Sequence, residues 1–274
     1  MKWIGVFFFA IAAMMLAAAL FLWNWLPTPS EIKGCMITSM YHVTLCPGSS
    51  EYVPLNKISP YLVKTVILTE DSNFYNHHGF EWDAIEKNFR EGWEKGVYKR
   101  GGSTLTQQLA KNMFLNKDRT FLRKGLEAII TDRIEKTLTK KEILERYFNV
   151  VEFGKDIYGV KKAAAYYFKK SPAELDVVES AFLAMILPNP EKYSKSYFKK
   201  ELTPFARKRL DRIVGDMYKY SRINEAEYEA AVLKIQNFLS PAPPPEEIES
   251  TDTMTLQDLE KAEQELQQDT EEEQ

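Results

Sequence analysis

Cysteine is nearly absent from this sequence: Cys35 and Cys46 are the only two in 274 residues. No CxxC pair and no Cys/His spacing of the zinc type occurs, so a structural metal centre is not expected. The two thiols stand eleven positions apart. They can close a small loop in an oxidising compartment or stay free, and the sequence leaves both open. Ser196 and Lys199 spell SxxK, yet no KTG follows and 75 residues remain, so a serine acyl-transfer domain is not expected. Aromatic residues are missing beyond Pro245, and bases nearly so: residues 246–274 hold twelve acids against Lys261 alone. Behind the Pro-rich break 241–245, that stretch is too poor in apolar side chains to build a core and is expected to be disordered.

The tail conceals the charge of the rest. The chain carries −3 and the tail −11, and subtracting the second from the first leaves +8 on residues 1–245. A basic body fits a phosphate-bearing partner or an anionic membrane surface, although an ordinary solvated surface would read the same. Long apolar runs are limited to one. Ile4 to Trp23 is 20 residues without a charge, and as a helix it spans about 30 Å, the thickness of a bilayer core. Trp3, Trp23 and Trp25 sit where interfacial aromatics belong. Apolar character continues through Leu20–Trp23, past the small residues Ala17–Ala19, which favours an uncleaved anchor over a signal peptide. Lys2 and the amino terminus favour an N-terminus inside and a body outside. The expected organisation is an N-terminus and transmembrane anchor (1–26), a linker and extended region (27–50), one catalytic domain (51–240), and the acidic tail (241–274).

Chemistry concentrates between Thr69 and Asn112. The string TEDSNFYNHHGF sets the adjacent carboxylates Glu70 and Asp71 beside Asn73, Asn76, His77 and His78, and acid–base work needs a positioned carboxylate. The string RGGSTLTQQLAKN sets Gly101-Gly102 ahead of a polar helix, an arrangement suited to anion recognition. Ser103 is a candidate cap for that helix. Thr104, Gln108 and Lys111 recur at i, i+4 and i+7 and present one polar face. Between the two strings, Trp82, Ile85, Phe89 and Trp93 share a helical face that packs on the core or dips into a bilayer. A helix near Phe121 brings Arg123 and Lys124 within one turn of Glu127. Capping boxes at Thr139–Glu142 and Ser171–Glu174, with helix starts at Thr203-Pro204 and Asn224–Glu227, predict further helices.

These strings, together with RKGLEAIITDRIEKTLTKKEILERYFN, YGVKKAAAYYF and LAMILPNPEKYS, resemble the peptidoglycan glycosyltransferases of family 51. The resemblance is to the monofunctional biosynthetic transglycosylases and covers about residues 51–237. It implies a mainly α fold: a lysozyme-like helical lobe with a small membrane-facing jaw, preceded by one transmembrane helix. It implies polymerisation of lipid II at the outer face of the bacterial cytoplasmic membrane. The partners implied are lipid II, the nascent glycan strand, the membrane and cell-wall synthesis or division proteins, with no nucleic acid. Glu70 matches the family's catalytic base, and Asp71, Phe74, His77 and Gly79 match the rest of that motif, which implies that Asp71, Phe74 and His77 bind substrate. Gly101, Gly102, Ser103, Thr104, Gln107, Gln108, Lys111 and Asn112 match the stretch that binds donor phosphate and sugar. Arg123, Lys124 and Glu127 match the group near the pyrophosphate, which implies that Arg123 and Lys124 bind substrate and that Glu127 is a second catalytic residue, also meeting a divalent metal, Mg or Mn. Two positions depart: Ser72-Asn73 lacks a basic residue often found there, and Lys169 stands where the family usually has glycine. A peptidoglycan-cleaving lysozyme-like enzyme is the rival among enzymes, but cleavage has no need of the phosphate-binding strings. A silent cell-wall scaffold is the rival of another class, and the intact Glu70, Lys111 and Glu127 argue against it.

Overall fold

The structure, a computed structural model, describes residues 2–95, 102–118 and 120–240. The acidic tail and Gly101 lie outside them, and so does the disorder expected of the tail. Helix α1 (Lys2–Trp25) carries the uncharged run. Among the described residues no helix is long and apolar enough to cross a membrane; within α1 the side chains of Phe21, Leu22 and Trp23, among others, are outside the description.

Thr28 caps α2 (Pro29–Lys33) through a capping box with Glu31. An antiparallel hairpin follows, β1 (Met36–Ile37) against β2 (Thr44–Leu45), with Met36 opposite Leu45. Cys35 and Cys46 form a disulfide across its base. In the chain-entropy picture, a cross-link over so short a loop contributes about 3 kcal/mol. The Ser39 N–H donates to the Met113 carbonyl at 2.9 Å, so the hairpin is also tied to the helix that runs through residue 113.

The remaining chain is almost all helix. It runs through α3 (Pro60–Glu70), α4 (Trp82–Lys95), α5 (Leu105–Phe114), α6 (Phe121–Thr137) and α7 (Lys140–Val150). A second hairpin, β3 (Glu152–Gly154) with β4 (Ile157–Tyr158), leads to α8 (Val160–Phe168) and α9 (Val177–Ile186). The short α10 (Pro190–Tyr193) and α11 (Lys195–Lys199) precede α12 (Pro204–Lys219) and α13 (Glu225–Gln236). Helix α9 is the axis of the core. Its sequence VVESAFLAMI is apolar nearly all round, all its residues are buried, and α3, α12 and α13 pack about it. Its one acid, Glu179, is neutralised by Lys170 at 2.8 Å. Helix α5 packs between α6 and α7 in a second group.

One expected start moves. The Ser171–Glu174 box forms but caps only a single 3-10 turn, Pro172–Glu174. The helix itself starts at Val177, where the Asp176 carboxylate accepts from two backbone N–H groups. Of the Trp82–Trp93 face, Trp82 and Ile85 are exposed rather than packed on the core; the side chains of Phe89 and Trp93 lie outside the description. Lys169 adopts φ +57°, the left-handed geometry of a helix C-cap, so the position where the resemblance calls for glycine has a glycine-like backbone.

Candidate active site

Glu70 is the last residue of α3, and Asp71 turns the chain out of it. These adjacent carboxylates have different partners. Asp71 is buried, and its Oδ2 accepts from the Leu105 N–H, the first of α5, at 2.9 Å. Its Oδ1 lies 2.8 Å from His77 Nε2. The Gly79 N–H donates to His77 Nδ1 at 3.1 Å, which assigns the imidazole proton to Nε2, facing Asp71. Gly79 holds φ +87°, and a Cβ there would stand 2.8 Å from Thr131 Cγ2. Only glycine meets both demands without strain. Its carbonyl accepts from Thr104 Oγ1 at 2.7 Å. Phe74 is fully buried, with Lys140 Nζ 4.5 Å from its ring centroid. Asp71, Phe74 and His77 are therefore brought together beneath the site, with their side chains spent on the protein itself.

Thr104, not Ser103, caps α5. Its hydroxyl reaches both the Gly79 carbonyl and the Gln107 N–H, and the Gln107 side chain returns to the Thr104 N–H at 3.0 Å. Ser103 is left exposed at the cleft, and Gly102 before it holds φ +105°. Thr104 thus leaves the expected polar face, on which Gln108 and Lys111 remain. Asn112 is buried on α5.

Glu70 is half-buried. Its Oε2 accepts from Gln108 Nε2 at 3.0 Å, and Gln108 Oε1 accepts from the buried Tyr147 hydroxyl at 3.2 Å. Burial pushes the Glu70 carboxyl above its ordinary pKa, while the Gln108 bond and the positive charge of Arg209 pull it back. A carboxylate so placed is a stronger base than one in water.

Gln108 also lines a cleft of about 430 Å³. One turn along α5, Lys111 enters the same cleft; burial lowers its pKa and Glu127 raises it. Arg123, Lys124 and Glu127 complete this wall, with Lys117 and Asp118 nearby. Glu127 is 3% exposed. Its Oε2 lies 2.7 Å from Arg123 Nη1, and its Oε1 contacts Lys124 Nζ. Arg123 Nε is buried without a hydrogen-bond partner. Four cations against two carboxylates, with a spare donor, suit a polyanion. The same residues do not fit a resident metal. Both Glu127 oxygens are engaged by cations, and among the described residues no three His, Cys, Asp or Glu side chains cluster as a donor set.

Sequence reasoning missed a second basic wall. A cavity of about 520 Å³ opens at Thr69 and Ser72, which flank Glu70 and Asp71, and is lined by Arg209, Arg212 and Arg222. The signal was Arg209 and Arg212 at i, i+3 on α12, although nothing in the sequence says that α12 lies against the end of α3.

Comparison with known proteins agrees with this geometry. A family model described as Transglycosylase matches residues 39–218. A biosynthetic peptidoglycan transglycosylase of Janthinobacterium sp. (strain Marseille) is 48% identical over 143 residues, 52% of this chain and 62% of the relative. One of Herminiimonas arsenicoxydans is 46% identical over the same shares. Another, of Rhodospirillum centenum, is 43% identical over 183 residues, 66% of this chain and 77% of the relative. The chain thus spans about three fifths of the first two relatives, 62% of their length. With two thirds of its length under the family model, the chain belongs to the transglycosylase family.

Proposed function

We propose that this chain is a peptidoglycan glycosyltransferase that polymerises lipid II. The observation that carries the reading is the pairing of a base and a polyanion site through one helix. Gln108 holds Glu70, and Lys111, one turn or ~4.5 Å further along α5, faces Arg123 and Lys124. Glu70 takes the proton from the 4-hydroxyl of the acceptor GlcNAc as that oxygen attacks the anomeric carbon of the donor MurNAc. The C–O bond to the undecaprenyl pyrophosphate breaks on the opposite face, and the centre inverts from α to β. Charge growing on the pyrophosphate is met by Lys111, Arg123 and Lys124. Arg209 and Arg212 are placed to meet the pyrophosphate of the acceptor. No step runs through a protein-bound metal. A divalent ion would arrive with the pyrophosphate, as Mg commonly does.

Two-carboxylate cleavage is disfavoured, because the second carboxylate, Asp71, is buried and committed to His77 and Leu105. Relatives named biosynthetic peptidoglycan transglycosylase support synthesis. We extend the reading to a lysozyme-like lobe with a membrane-facing jaw near Trp82, Ile85, Phe121 and Leu122, all exposed. The uncharged run in α1 supports a single-pass anchor in the cytoplasmic membrane. The Cys35–Cys46 disulfide supports a catalytic domain on the oxidising, outer side. The expected partners are the nascent glycan strand and other cell-wall synthesis or division proteins. The test is Glu70→Gln, which keeps the shape and removes the base. Lipid II polymerisation should fall ~10²- to 10⁴-fold with an unchanged melting curve; retention of most activity by a folded variant sinks the assignment.

A further inference from the structure

We infer that the outer face of α6, with the cavity at its foot, is the path along which the hydrocarbon tail of the donor substrate leaves the site. The inference rests on the transfer reaction proposed above and deepens it, because that reaction by itself involves only sugars and pyrophosphate. Leu122, Leu126 and Ile129 stand at i, i+4 and i+7 on α6 and share one face. Leu122 is 70% and Ile129 44% exposed, while Glu127, Ile130, Thr131 and Ile134 on another face are buried. Leu126, between Leu122 and Ile129, is partly buried against the core, while the two ends of the stripe stand uncovered. The stripe starts beside Arg123, which lines the polyanion cleft. It ends in a cavity of about 910 Å³ between α6 and the α1–α2 joint, walled by Ile129 and Arg133 on one side and by Leu26, Pro27 and Ile32 on the other. From Arg123 to Ile129 the helix rises only ~9 Å, so a few isoprene units cover the distance.

The occupant follows from this continuity. A pyrophosphate held by Arg123 and Lys124 releases its ester-linked chain next to Leu122. A branched, flexible, apolar chain covers the stripe and arrives at Leu26, where the uncharged helix ends. A phospholipid also carries a phosphate, but its single-charged phosphodiester meets the four cations of the cleft less fully than a pyrophosphate does, so the pyrophosphate-linked chain is the better-placed occupant.

The experiment uses the full chain in phosphatidylglycerol vesicles. Two photoreactive probes are compared: a polyprenyl pyrophosphate and a phosphatidylglycerol, each with a diazirine in its chain. The polyprenyl probe should label α6 between residues 122 and 133 and the segment 26–32, and unlabelled lipid II should displace it. In kinetics, Ile129→Ser and, separately, Leu122→Ser should raise KM about fivefold for a long-tailed donor, the loss of one apolar contact. For a donor whose pyrophosphate carries a methyl ester in place of the polyprenyl chain, too short to reach either side chain, the same variants should leave KM nearly unmoved. Equal rises for both donors, no label from the polyprenyl probe, or label from phosphatidylglycerol that lipid II does not displace would each overturn the path. If the unmodified protein polymerises neither donor, the transfer reading fails, and the polyprenyl label alone then decides whether the tail path stands.

Discussion

Asp71 offers the sharpest test of how the site is built. Its two oxygens accept from two buried donors, the Leu105 N–H at 2.9 Å and His77 Nε2 at 2.8 Å. Asp71→Ala leaves both donors unpaired, and a buried donor without a partner costs ~1–3 kcal/mol, so the loss should be about 2–6 kcal/mol. Asp71→Asn is isosteric yet cannot satisfy both, since its amide offers one acceptor oxygen. If that oxygen turns to Leu105, the NH2 group meets the proton on Nε2. The ring cannot answer by moving the proton to Nδ1, because that nitrogen already accepts from Gly79. The Asn variant should therefore cost ~1–3 kcal/mol, about half the Ala loss. Against the ~5–15 kcal/mol of a typical domain, both are readable. Urea unfolding followed by circular dichroism gives the two values, and polymerisation rates measured well below the midpoint give the effect on Glu70 placement. An Asn variant with wild-type stability and no activity would refute the reasoning and return Asp71 to the substrate, the role its resemblance implies.

Gln108→Leu removes the donor that pulls the Glu70 pKa down. A base acts as the carboxylate, so its activity is present above its pKa and lost as pH falls through it. The acid limb of kcat/KM against pH should move to higher pH, and an unmoved limb would detach Gln108 from the base. Glu127→Gln removes the charge that raises the pKa of Lys111, whose ammonium is needed below that pKa. The alkaline limb should move to lower pH with a slower rate; a fixed limb with a lost response to added Mg would make Glu127 a metal ligand instead. Lys169→Gly should stabilise the protein by ~1 kcal/mol, because Lys169 sits at φ +57°. An unchanged urea midpoint would show that the Lys169 ammonium, 6.0 Å from the centroid of the Tyr166 ring, offsets the backbone strain.

Helix starts were legible where the cap is a local device. Thr139 and Asn224 each close a box with an acid three residues on, and both begin helices as expected. Ser103 and Ser171 failed for tertiary or competing reasons. Thr104 is fixed by the carbonyl of Gly79, 25 residues earlier, and Asp176 supplies a charged acceptor that outbids the Ser171 box for the long helix. Within the site, Glu70, Gln108, Lys111, Arg123, Lys124 and Glu127 were named from their motifs and stand at or beside one cleft. The division of labour was not legible. That Glu70 faces a glutamine while its neighbour Asp71 faces a histidine depends on which way the chain leaves α3, and no spacing encodes that. Arg209 was invisible for a related reason: its effect on Glu70 crosses more than a hundred residues of sequence.

Helix α5 is fastened at both ends. The Asp71 carboxylate holds its first N–H, and the disulfide-closed hairpin, through Ser39, takes the carbonyl of Met113 near its last turn. A helix pinned in this way behaves as a ruler rather than a hinge. In the proposed transfer, the interval between the residue that steadies the base and the ammonium that meets the leaving group is then a property of helix geometry, one turn, and does not stretch to suit a ligand. Such a gauge is tolerant at its two extremities, where sugars extend one way and hydrocarbon the other, and unforgiving in the middle. A donor with even one extra atom between the anomeric carbon and the first phosphorus would bring its charge past Lys111 whenever its carbon is in register with the base. Inhibitors of this cleft should accordingly be judged by that single internal length before anything attached outside it.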